Sequence, residues 1–145
     1  MTTLRRAALV VIAVGSLVVG AWAQVFPRSF YDDFPGFGRV WVAVDGPYNE
    51  HLVRDIGGLN LGLALVAAVA LITAHVLLAR VAGAAALLYG APHLVYHAAH
   101  LDPFDATDAV ANMVALTLAA VAALLAVAAP VAPATPDAAQ HWSGG

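Results

Sequence analysis

Residues 57–78 read GGLNLGLALVAAVALITAHVLL, 22 consecutive positions without one charged side chain. At about 1.5 Å per residue such a helix covers roughly 33 Å, enough to cross a bilayer's hydrocarbon layer. A soluble helix would need a continuous polar face, and here only Asn60, Thr73 and His75 interrupt the apolar run. Working outward, the same signature returns at 7–25, 81–100 and 108–129. The expected fold is therefore all-α, a four-helix transmembrane bundle over residues 1–129. One ordered extracytoplasmic loop, residues 26–56, joins its first two helices, and a Pro-rich tail over 130–145 reads as disordered and cytoplasmic.

Composition supports the membrane assignment. Charged residues make up 10% of the chain and hydrophobic ones 62%, with a mean hydropathy of +0.84, whereas a soluble domain needs about a quarter of its residues charged. The lipid bilayer is the implied partner. No basic face suited to nucleic acid is present. Cysteine is absent, which removes disulfides, thiolate nucleophiles and Cys-ligated metals.

Arg5 and Arg6 precede the first span and Arg80 ends the second, while all acids but Asp137 fall on the opposite side. The positive-inside rule then places both termini in the cytoplasm of a multi-pass bacterial cell-membrane protein, although Arg28, Arg39 and Arg54 in the loop dilute the count. Arg5-Arg6, an apolar core and Ala21-Trp22-Ala23 also satisfy the pattern of a cleavable secretory signal. Against that reading, the run is long for a signal core, and Gly15, Ser16 and Gly20 suit close helix packing.

Aromatic and turn residues fill the loop: Phe26, Phe30, Tyr31, Phe34, Phe37, Trp41 and Tyr48 among Pro27, Pro35, Gly36, Gly38, Gly46 and Pro47. This mixture predicts a structured loop on the headgroup layer. Asn49 is the expected N-cap of the second helix, whose first turns (Glu50, His51, Arg54, Asp55) should project beyond the slab. Gly58 and Gly62 predict a close packing face. Pro92 predicts a kink near Gly90 in the third helix, and Asp105 or Thr107 should cap the fourth.

Polar residues within the spans recur at helical spacing. His93, His97 and His100 share one face of the third helix. His51 and Asp55, with Asn60 deeper, form a second stripe; Asp105, Asp108 and Asn112 form a third. Ionisable groups in a bilayer face one another or a hydrated cavity, so the stripes predict an outward-facing pocket of His51, Asp55, Asn60, His93, His97, Asp108 and Asn112. Imidazoles four residues apart suit a transition metal or haem, with His93, His97, His51 and Asp55 as the candidate ligands. The same groups suit a quinone-like head group. The plainest alternative is a hydrogen-bonded polar plug that fixes helix register. No H-E-x-x-H or other catalytic signature is present, and whether the chain is an enzyme stays open.

The segments Pro47-Tyr48-Asn49-Glu50-His51-Leu52-Val53-Arg54-Asp55-Ile56-Gly57-Gly58 and Pro92-His93-Leu94-Val95-Tyr96-His97 resemble those of small uncharacterised four-helix membrane proteins of actinobacteria. In architecture the chain is similar to the DoxX-like group. That resemblance implies quinone-linked redox chemistry or a partner oxidoreductase, and it transfers no site residue. The expected function is a pocket for a metal, haem or quinone-like ligand, accessory to a redox or envelope process. The rival expectations are a ligand-free assembly subunit of a larger membrane complex, binding another membrane protein, and an oligomeric small-solute or ion transporter.

Overall fold

The computed structural model describes residues 1–130; of the tail expected over 130–145, everything after Pro130 lies outside the described residues. Four long helices dominate: α1 (Thr3–Val25), α3 (Glu50–Thr73), α4 (Val76–Ala99) and α5 (Ala106–Ala128). All four are long and apolar enough to cross a membrane, and the protein is a small multi-pass integral membrane protein. Leu65, Ile72, Leu88, Val95 and Leu118 stand exposed on their outer faces. Exposed aliphatics in such number would be a liability in water and are the natural surface toward lipid.

Local chemistry sets the helix ends. The Thr2 hydroxyl accepts from the Arg5 amide, the Asn49 side chain from the Leu52 amide at 3.2 Å, and the Asp105 carboxylate from the Asp108 amide at 2.8 Å. Each satisfies a first-turn donor that has no partner within its helix. Asn49 thus caps α3 as expected, and Asp105 rather than Thr107 caps α5. Between α3 and α4 the chain reverses at Ala74, whose φ of 52° is left-handed, and His75 takes the N-cap position of α4. The break comes several residues before the expected end of the second span at 78. Arg80 consequently lies in the first turns of α4 rather than at the end of α3. The third membrane helix continues through Pro92 to Ala99.

Around the bundle, α1 packs against α3 and α5, and α4 packs against α3 and α5. Where the α3–α4 turn lies, the turn end, the four helices meet in one core: Ala8, Leu9 and Ile12 of α1, Ala67 and Ala70 of α3, Ala79 and Ala82 of α4, and Ala122, Ala123 and Ala126 of α5. Alanine lets backbones approach closely, and close packing holds helices together where lipid offers no hydrophobic drive between them. A methyl group on Gly83 would fall 2.7 Å from the Ala123 carbonyl oxygen, so α4 and α5 touch backbone to backbone there. The Arg5 guanidinium is fully buried at this end. Its Nε donates to the Ala126 carbonyl at 3.0 Å, and its other nitrogens reach the carbonyls of Val127, Ala129 and Pro130. A cation from α1 therefore caps the C-terminus of α5, where the helix dipole is negative.

At the loop end α1 and α3 are again in contact, through Gly20 and Gly57. A methyl on Gly57 would meet the Gln24 amide nitrogen at 2.7 Å, and one on Gly20 the Leu61 amide nitrogen at 2.8 Å. The expected Gly58–Gly62 packing face is not the contact: a methyl on Gly62 would meet nothing within 4 Å, and one on Gly58 only the end of Gln24. The tight seam lies on the neighbouring face of the same helix. Residues 26–49 form the expected ordered loop. It comprises the short helix α2 (Pro27–Asp33) and an antiparallel pair, β1 (Pro35–Gly36) with β2 (Arg39–Val40), followed by turns. Its Phe30 packs with Ala23 and Val53, beside Trp22, Phe34 and Tyr48.

Candidate functional site: a cavity beneath the loop

Among the described residues, no buried apolar core lies between the α1/α3 pair and the α4/α5 pair at the loop end. The space is a cavity of about 520 Å³, within the range of small-molecule sites. Its foot is apolar, formed by Ile12, Leu63, Ala86, Leu116 and Ala119; above the foot lie Asn60, His93, His97 and Asn112, and the loop's Phe30, Tyr31, Phe34 and Trp41 close over them. The alanine core seals the turn end, so the cavity ends blind within one copy of the chain.

Four of the seven expected pocket residues meet here: Asn60, His93, His97 and Asn112. At 1.5 Å per residue, His93 lies about 9 Å below the end of α4 and Asn112 about 9 Å below the start of α5, so they share one level. Asn60 is buried and donates to the Ile56 carbonyl at 3.0 Å. The His93 and His97 rings meet edge to face with centroids 4.6 Å apart, and His93 stacks on Tyr89. Two atoms here are buried without a hydrogen-bond partner: His97 Nδ1 and Asn112 Oδ1. A buried polar atom left unpaired costs about 1–3 kcal/mol, and two on side chains that line one cavity call for a partner outside the chain.

The other three expected residues lie elsewhere. His51 and Asp55 pair with each other at 3.2 Å on the projecting turns of α3, 87% and 61% exposed, and neither lines the cavity. Their i, i+4 spacing does put them on one face, but that face points away from α4. Asp108 also lies outside the cavity lining. Its carboxylate accepts from the Arg39 guanidinium and, at 2.9 Å, from the Trp41 indole. It clasps the loop to α5. The expected metal set of His93, His97, His51 and Asp55 is therefore not assembled, and among the described residues no three His, Asp or Glu side chains gather as a metal site. His93 and His97 project from one helix with rings so close that they cannot ligate opposite faces of one haem. His100 stacks on Tyr96, exposed, at the end of α4.

Sequence reasoning missed the residues that close the cavity. The Tyr96 hydroxyl donates to the Asp45 carboxylate at 3.1 Å, tying the loop to α4 as Asp108 ties it to α5. Tyr31 donates to the Gly46 carbonyl and holds the turn after Asp45 in place. Outside the membrane helices, the Arg28 guanidinium lies over the Tyr31 and Tyr48 rings and pairs with Asp32, whose hydrogen bond raises its pKa above the ordinary arginine value. Apart from Arg28 and Asp32, an i, i+4 pair, none of these partners is periodic in sequence, so no spacing rule could have found them; only the aromatic density of the loop hinted at a folded lid.

No protein-family model, curated protein or solved structure matches the chain.

Proposed function

We propose that this protein is a cell-membrane binding protein whose cavity takes one amphiphilic, quinone-like molecule, in the service of a redox or envelope process. One observation carries the reading: His97 Nδ1 and Asn112 Oδ1 are buried without partners, on adjacent helices whose side chains line a largely apolar cavity. A head group bearing carbonyl and hydroxyl oxygens offers the missing acceptor and donor, and an aliphatic chain suits the foot at Ile12, Leu63 and Leu116. The loop end faces the outside of the cell in this reading. Arg6 and Arg80 are exposed at the turn end, whereas Arg28, Arg39 and Arg54 at the loop end are each matched by Asp32, Asp108 and Glu50. Among the described residues, cations without an acidic partner then lie on the side read as cytoplasmic.

The test is extraction of the detergent-purified protein followed by mass spectrometry, then titration with a short-chain prenyl benzoquinone. Stoichiometric binding is expected. Asn112→Leu should weaken binding of the corresponding hydroquinone, whose hydroxyl can donate to Oδ1, about tenfold, the worth of one hydrogen bond, while leaving the fold as stable or more so because an orphaned acceptor is gone. Equal affinity in wild type and variant would refute the assignment. Because the chain lacks cysteine, single cysteines at Phe37 and Ala74 read the orientation: an impermeant maleimide should label only the former in intact cells.

A second reading, an assembly subunit, is favoured by Phe37. It sits fully exposed at the tip of the β1–β2 hairpin with a left-handed φ of 59°, an arrangement unusual for a bulky residue. Loss of a co-purifying membrane protein in Phe37→Ser, with quinone binding intact, would support it.

A further inference from the structure

Resting on the cavity reading above, we propose that the cavity admits amphiphiles without a phosphate or carboxylate group, and that Asp45 is the residue that sets this preference. Every cation of the chain can be placed, because it has six arginines and no lysine, and none of the six lines the cavity. Arg5 is spent on the end of α5. Arg28, Arg39 and Arg54 are paired with Asp32, Asp108 and Glu50. Arg6 and Arg80 lie at the turn end, beyond the sealed core. Arg54 adjoins the lining residue Val53 and Arg28 lies over the ring of the lining Tyr31, but each is paired with a carboxylate, Glu50 and Asp32; Arg39 and the lining Trp41 both donate to Asp108.

Asp45 alone among the lining side chains is an acid, and Tyr96 holds it there. The remaining polar lining is uncharged or imidazole. With His93 and His97 centroids 4.6 Å apart, protonating both would set two like charges side by side. An anion entering this space would leave water, meet no counter-charge and approach a carboxylate, and each of these is unfavourable.

The consequence is selectivity where it is most needed. Phosphate-bearing lipids are the commonest amphiphiles around any membrane protein, and an open cavity beneath the headgroup layer would otherwise fill with them. A negative mouth and an uncharged interior keep the space free for a quinone-like head.

The experiment compares two probes on the full-length protein in neutral detergent, a short-chain prenyl benzoquinone and a prenyl monophosphate of the same chain, read by quenching of tryptophan fluorescence. Wild type should bind the phosphate at least about tenfold more weakly than the quinone. Asp45→Asn, which keeps an acceptor for Tyr96, should narrow that gap by strengthening phosphate binding, and Asp45→Arg should close or invert it. Unfolding temperatures of both variants establish that they fold. Equal binding of both probes by wild type, or a gap untouched in two folded Asp45 variants, would overturn the assignment of selectivity while the cavity reading stands. Binding of neither probe would overturn both.

Discussion

At the turn end Ala8, Ala67, Ala70, Ala79, Ala82, Ala122, Ala123 and Ala126 bring four helices together in one packed core; at the loop end the same four helices stand around a cavity of about 520 Å³. The two halves are built from the same four helices. They differ in what fills the centre. Small side chains at one end allow backbones to touch, and that contact is what holds helices together in lipid. At the other end α1 and α3 keep their glycine seam, but α4 and α5 are held by polar clasps from the loop, Tyr96 to Asp45 and Arg39 with Trp41 to Asp108. One end is closed by packing and the other by hydrogen bonds, and only the second can open without loss of the core.

The largest effect should come from spoiling the packed end. In Gly83→Val the new side chain would collide with the Ala123 carbonyl and the Ala126 methyl, 2.7 and 2.8 Å from its Cβ. Overpacking against backbone should cost about 3 kcal/mol, read by unfolding in mixed micelles. Gly62→Val is the control: Gly62 has open space around it and should lose almost nothing. If both variants fall equally, glycine's role is general helix chemistry and the contrast between the ends is wrong. Arg5→Ala comes next. It strips donors from the carbonyls of Ala126, Val127 and Ala129 and should cost about 2 kcal/mol, again in global unfolding. Asp108→Ala should barely move global stability, because it acts on the clasped end alone. It should accelerate amide exchange over residues 34–46 and hasten ligand release. Unchanged exchange there, or a collapse of the whole fold, would break the proposed division between a core and a lid.

The four spans were legible because an uncharged stretch of about 20 residues has few other homes than a bilayer. Within them, the level of the polar residues could be read from spacing alone: His93, His97, Asn60 and Asn112 do meet. What spacing could not supply was rotation. His51 and Asp55 are one turn apart on α3 as expected, yet the seam made by Gly20 and Gly57 turns their face away from α4. Gly57 and Gly58 are adjacent in sequence and about 100° apart around the helix, so choosing the wrong one as the contact moves every other side chain on α3 to the wrong place.

The amino-acid sequence by itself determined that this chain lives in a membrane, how many times it crosses and at what depth its polar groups lie, since hydropathy and helical period are local properties. The tertiary structure alone decided that Asp108 and Asp45 serve the loop, that Arg5 caps a helix more than a hundred residues away, and that a cavity remains. Those depend on which faces touch, and in lipid that is settled by a few contacts between small residues far apart in the chain.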